Sequence, residues 1–242
     1  MFTFETAFIA SAFIRQQSTG FVTDVPAVTA CLVEFDGCGY HNALFAQLSI
    51  PLPGVLSSAV AKRRADYLSG RYAARQLLMN AGCRDAVAVG PDRAPVWPAG
   101  WCGSISHTGK WAIAVLSPQR YRVNPGVDIE RLQPEVMREI ATTFTTPDER
   151  ALLAKSPLPY ETALLITFSA KESLFKALFP QVQHMFGFEA AWLCELNPQQ
   201  NAFTLQLTRR LAPRLPAGYR VRGRYLVRDS EVITLILAPA AH

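Results

Sequence analysis

The stretch ETALLITFSAKESLFKALF, residues 161–179, restricts how this chain can fold more than any other segment. Its apolar residues recur at helical spacing, so it reads as a helix whose apolar side other elements must cover. At roughly 100° per residue, Leu165, Phe168, Phe175 and Phe179 project within about 60° of Glu172. Glu172 therefore sits on the apolar stripe, where an unpaired carboxylate is costly. Lys176 lies one turn on. A simple Glu-to-Lys helix pair, worth about 0.2–0.5 kcal/mol, accounts for Lys176 better than for a carboxylate among phenylalanines.

Around this helix the chain alternates strand and helix patterns. AVTACLVEF and WAIAVL read as strands, the second with Trp111, Ile113 and Val115 on one face, and VDIE reads as a third after an NPG turn. Residues 55–80 read as one long helix closed by Gly82. QPEVMREIATTF places Pro134 and Glu135 where a helix start prefers them. In TPDERALL, Thr146 is the N-cap, Pro147 the first-turn residue and Glu149 the partner of a capping box. AFTLQL, YRVRGRYLV and VITLILA read as C-terminal strands. The fold class is mixed α+β.

In GVDIER, Asp128 and Glu130 lie two apart on a strand and share a face, while Val127 and Ile129 take the other. Two like charges at that spacing repel unless a cation or proton lies between them. A solvent-facing strand end would also accommodate the pair. A third carboxylate from Glu172 would make the hard oxygen site that Mg²⁺ prefers when phosphate oxygens complete its coordination.

Two further groups supply cations or donors. Arg64, Arg71 and Arg75 fall within about 40° of one another on the helix over 55–80, with Arg63 at the margin, and such a row also describes a solvated face. In GSISHTGKW, Gly103, Ser104, Ser106 and His107 cluster just before a strand and suit a phosphate pocket, while no GxSxG elbow is present. The chain has 242 residues, 50% of them hydrophobic and 18% charged, which is enough to bury a sizeable core as one large domain or two small ones. MFTFETAFIASAFIRQQ has no positive charge before its apolar run and meets Arg15 too early for a spanning helix, so a cytoplasmic protein is expected. The five cysteines are scattered without CxxC spacing and read as reduced packing residues. Nineteen of the 24 basic residues are arginine, whose planar fork suits phosphate and carboxylate, and the net charge is +5.

Taken together, KRRADYLSGR (62–71), VWPAGWCGSISHTG (96–109), GVDIE (126–130) and FSAKESLFKALFP (168–180) resemble the 4'-phosphopantetheinyl transferases of the surfactin-type group, in the branch related to enterobactin synthetase component D. The resemblance covers nearly the whole chain. It implies a monomer of two similar α+β halves related by a pseudo-twofold axis. Residues 1–120 would form the half on the coenzyme A nucleotide side, and residues 121–242 the half with the metal carboxylates and carrier docking. Carried over residue by residue, Asp128, Glu130 and Glu172 match the Mg²⁺ carboxylates. Lys176 matches the lysine on the coenzyme A pyrophosphate, and Lys171 a basic position near it. Ser106 and His107 match the pair near the 3'-phosphate, and Arg63 and Arg71 the clamp on the nucleotide end. FPQVQHMFGF departs from the GKGL of other members, and Arg93 lies one position from a lysine of that neighbourhood.

The implied reaction moves phosphopantetheine from coenzyme A to a serine of an apo acyl or peptidyl carrier protein and releases 3',5'-ADP, with Glu172 or a metal-bound water as base. A metal-dependent nuclease would also use D-x-E on a strand, although Glu172 and Lys176 are four apart on a helix. A nucleic-acid-binding module would use the basic run from Arg209 to Arg228, which has seven arginines, no acid and little aromatic interleaving. Within that run Arg220, Arg222 and Arg224 share a strand face, which reads as a carrier-docking surface or as a charged edge strand that resists sheet aggregation.

Overall fold

A computed structural model describes residues 1–240, so the last two residues of the expected C-terminal half lie outside the described residues. The chain divides into two compact units, Met1–Tyr121 and Arg122–His242. Each is built on one five-stranded antiparallel sheet. The mixed α+β class is what the structure has.

In the first unit, β1 (Phe2–Phe8), β2 (Ile14–Val22), β3 (Val25–Phe35), β6 (Trp101–Thr108) and β7 (Trp111–Pro118) form a sheet in the order β1-β2-β3-β7-β6. A separate two-stranded ribbon joins β4 (Ala88–Val89) and β5 (Pro95–Val96). The N-terminal stretch weighed as a leader is thus a hairpin, β1 pairing with β2. A short α1 (Leu44–Gln47) precedes α2 (Ala61–Asn80), which packs on β3, β6 and β7. Both faces of β7 are buried. The core gathers Phe13, Cys31, Val33, Leu68, Leu77 and Leu116.

One expectation about this unit needs correction. The long helix begins at Ala61 rather than near 55, because the Ser57 hydroxyl turns back onto the Gly54 carbonyl and Val60 is extended. Gly82 does follow its end, at φ 79°. GSISHT, which stands just before the WAIAVL strand as expected, is itself part of β6, paired residue for residue with β7, including Ser106 with Ile113 and His107 with Ala112.

In the second unit, β8 (Val123–Arg131), β9 (Ala191–Asn197), β10 (Ala202–Leu207), β11 (Arg220–Arg228) and β12 (Glu231–Pro239) form a sheet ordered β8-β12-β11-β10-β9. Three helices, α3 (Pro134–Phe144), α4 (Pro147–Ala154) and α5 (Tyr160–Val182), come between β8 and β9, and α5 lies on β8 and β12. Helix α5 buries residues all round its circumference, as a helix enclosed by a sheet and other helices must. Leu164, Leu174, Leu193, Phe203, Val232 and Ile236 are central to its core. The Thr146–Glu149 capping box forms as the spacing predicts.

The NPG turn is corrected as well. Asn124, Pro125 and Gly126 belong to β8, and Pro125 pairs with Leu237. β8 is the terminal strand of its sheet, where a missing N–H is tolerated. Strand β11, by contrast, lies between β10 and β12, so the arginine row is not a charged edge. Strand β9 had no counterpart in the sequence reading. All five cysteines are free, and burial pushes the Cys31 thiol up. Among the described residues, no helix is long and apolar enough to cross a membrane.

Candidate active site

In the second unit the site grows from the register of β8. Val127 and Ile129 are buried on one face, and Asp128 on the other is 2% exposed, opposite Thr234 of β12. A strand face so deeply covered overturns the solvent-facing strand end. Helix α5 can approach because position 126 is glycine: a Cβ there would collide with the Ser173 carbonyl oxygen and the Ala177 backbone. On α5, Ser169, Glu172, Ser173 and Lys176 follow i, i+3, i+4, i+7 spacing and so share a face.

Lys176 Nζ sits 2.6 Å from Asp128 Oδ1 and donates to the Val127 carbonyl at 3.1 Å. Ser169 Oγ donates to the other carboxylate oxygen, Oδ2, at 2.8 Å. Glu172 is half-buried, and burial first, then the charge of Asp128, raises its pKa above the ordinary carboxylate range, with Lys176 partly offsetting both. Phe168 and Phe175, one turn to either side, belong to separate aromatic clusters, with Phe144 and Phe188 and with Phe179 and Phe186. Glu130 is half-buried at the end of the same strand face.

The donor chemistry of these carboxylates, all hard oxygens with one resisting ionisation beside another, fits a divalent cation such as Mg²⁺. The set is not a closed cage. Among the described residues no three of histidine, cysteine, aspartate and glutamate gather closely enough to ligate a metal, and Asp128 Oδ1 is engaged by Lys176.

Lys171, expected near coenzyme A, is engaged within the second unit. Its ammonium lies 2.8 Å from Glu149 Oε1 and donates to the Phe144 carbonyl at 2.7 Å, with the two side chains 4% and 0% exposed. Glu149 also accepts from the Thr146 and Leu193 amides. One buried ion pair thus ties α4, α5 and β9 together next to Glu172.

In the first unit, a cavity of about 390 Å³ is lined by Arg63, Asp66, Tyr67, Arg71, Arg93 and His107 among others. Arg63 donates to His107 Nε2 at 3.2 Å, so that nitrogen is the unprotonated one. The Arg71 guanidinium lies 4.9 Å over the Tyr67 ring and donates to the Ala88 carbonyl, yet its buried Nε has no hydrogen-bond partner. The row expected on α2 therefore splits: Arg71 is 8% exposed, and Arg64 turns back onto the Ser57 carbonyl. Ser106 is separated from His107, since adjacent residues of a strand face opposite sides, and it does not line the cavity. Arg93 does line it, held at φ 66° by a turn in which Asp92 Oδ1 accepts from the Ala94 amide. A surface of cations with one unpartnered buried N–H suits an anionic ligand.

Residues 53–117 match the 4'-phosphopantetheinyl transferase N-terminal domain, and residues 124–225 match the 4'-phosphopantetheinyl transferase superfamily. Enterobactin synthase component D of Salmonella typhi is 38% identical, over 86% of this chain and 85% of the relative. The chain belongs to the 4'-phosphopantetheinyl transferases. Enterobactin synthase component D of Escherichia coli K12 is also 38% identical, over 71% of this chain and 80% of its own length. The 4'-phosphopantetheinyl transferase PptT of Mycobacterium tuberculosis is 29% identical, over 82% and 93%. The protein is therefore an enzyme that transfers phosphopantetheine from coenzyme A to carrier proteins, and the nuclease and nucleic-acid-binding readings fall away.

Among the residues missed in the sequence, Ser169, Ser173 and Thr234 carry no compositional signal. The only hint was the spacing of the two serines from Glu172 and Lys176.

Proposed function

We propose that this transferase is Mg²⁺-dependent and that its chemistry is centred on Asp128, Glu130, Glu172 and Lys176. The observation that carries the reading is the 2.6 Å contact of Lys176 with Asp128 beside a carboxylate, Glu172, that resists ionisation. The three carboxylates would hold Mg²⁺, which when bound neutralises the pyrophosphate of coenzyme A. The carrier serine Oγ attacks the β-phosphorus, its bond to the bridging oxygen breaks, and 3',5'-ADP leaves. Glu172 is the group that takes the serine proton, since its raised pKa brings it nearer to working pH than an ordinary carboxylate. Lys176 neutralises charge on the leaving phosphate. Arg63, Arg71 and His107, with Arg93 added, bind the nucleotide end of coenzyme A. Lys171 and Ser106 have no such role.

The proposal extends to a cytoplasmic monomer whose two units are the halves of a pseudo-twofold pair. Its support is that each unit carries one five-stranded antiparallel sheet and one long helix, of 20 and 23 residues. The test is incubation with coenzyme A, Mg²⁺ and an apo carrier. A phosphopantetheine mass gain on the carrier is expected, lost on addition of EDTA and in Glu172→Gln. A full gain in EDTA overturns the metal dependence.

A further inference from the structure

Between α5 and the two strands beneath it lies a line of hydroxyls with no contact to solvent. Ser169, Ser173 and Thr234 are each 0% exposed. Ser173 Oγ is 2.7 Å from Thr234 Oγ1, Thr234 Oγ1 is 2.9 Å from Ser169 Oγ, and Ser169 Oγ is 2.8 Å from Asp128 Oδ2. Each hydroxyl carries one proton. An ionised Asp128 only accepts, so the Ser169 proton must point at Oδ2. The Ser169 oxygen is then left as an acceptor, and the Thr234 proton turns towards α5, to Ser169 Oγ, to the Ser169 carbonyl, also at 2.9 Å, or to Ser173 Oγ. The Ser173 proton is left for Thr234, either its Oγ1 or its carbonyl at 3.1 Å. The three hydroxyls thus satisfy one another, the neighbouring carbonyls and Oδ2, and in a low-dielectric interior such linked hydrogen bonds reinforce one another.

We infer that Ser173, Thr234 and Ser169 form a buried hydroxyl relay that positions Asp128 and fixes which of its oxygens meets a cation. The relay holds Oδ2 inward, and Oδ1 alone is turned to the ammonium of Lys176 or to a divalent ion. Thr234 lies opposite Asp128 in the register of β8 and β12, and Ser169 and Ser173 are one turn apart on α5, so the relay also locks the helix to the strand register. These are positioning residues: none of them touches substrate. The inference rests on the metal reading above.

The test is direct binding of Mn²⁺, followed by electron paramagnetic resonance, to the whole protein without substrates. Partners that orient a ligating carboxylate are typically worth 10–100-fold in metal affinity, so Ser169→Ala should raise the Mn²⁺ dissociation constant by about tenfold. Thr234→Val should have a smaller effect in the same direction, and Thr234→Ser, which keeps the hydroxyl, should stay near wild type. In turnover assays Ser169→Ala should need more Mg²⁺ while its KM for coenzyme A is unchanged. Wild-type Mn²⁺ affinity in both Ser169→Ala and Thr234→Val, with Asp128→Asn abolishing binding, overturns the relay and leaves the metal site standing. Mn²⁺ affinity that Asp128→Asn also leaves unchanged overturns both. A fall in melting temperature without any change in affinity marks the hydroxyls as packing only and equally overturns the relay.

Discussion

Helices α2 and α5 each lie on a five-stranded antiparallel sheet, yet the polar groups they carry are treated differently. On α5 the groups are answered within the unit: Lys171 by Glu149, Ser169 and Lys176 by Asp128, Ser173 by Thr234. On α2 the cations are only partly answered. Arg63 leans on His107, and Arg71 keeps a buried N–H without a partner. On the proposed function, the difference is that between a preorganised reaction centre, where misplacing a group by an ångström is costly, and a recognition surface that gains its partners from an anionic ligand. The same helix-on-sheet scaffold serves both.

The largest effect expected from breaking this contrast is at Glu172. Glu172→Gln should lower kcat by about 10²–10⁴-fold, the usual worth of a positioned base, while the coenzyme A dissociation constant measured by calorimetry stays put. Next is the buried pair. Lys171→Met leaves the buried Glu149 carboxylate without its cation and should cost about 3–5 kcal/mol in urea unfolding. On the recognition side, His107→Ala removes a hydrogen bond to a charged group, so coenzyme A affinity should fall about tenfold with kcat nearly intact. An unchanged affinity together with a damaged kcat would erase the distinction between the two units.

The smallest effect sharpens the contrast through pH. The raised pKa of Glu172 means that the native protein holds this proton more tightly than the unfolded chain does. Its contribution to stability is complete below the ordinary glutamate range and is lost as pH rises through the raised value. In EDTA, the melting temperature of wild type should fall relative to Glu172→Gln across that window, and Mg²⁺ should restore it. Parallel curves for the two proteins would show that Glu172 ionises without penalty.

Much of the reaction centre was legible because its requirements are local. Asp128 and Glu130 share a face by strand alternation, and Glu172 and Lys176 by helical spacing, so their grouping follows from backbone geometry alone. Thr146 and Glu149 announced a capping box for the same reason. The failures occurred where the answer depends on a partner far along the chain. Asn124, Pro125 and Gly126 look like a turn until β12 pairs with them at the end of a sheet. Arg220, Arg222 and Arg224 look like an edge until β10 and β12 flank them. Lys171 and Lys176, five residues apart on one helix, cannot be told apart by type. Packing sends one into the core with Glu149 and the other to Asp128.

By itself, then, the sequence determined the mixed α+β class, the long helix over 161–179, the carboxylates that share faces, and a resemblance that named the chemistry. Only the tertiary structure decided which cations are taken up in buried ion pairs, that Ser106 and His107 face apart, and that the buried Ser169 hydroxyl donates to Asp128. Periodicity fixes which side of its own element a residue occupies, whereas its charge state and its partners depend on what the rest of the chain brings to that side.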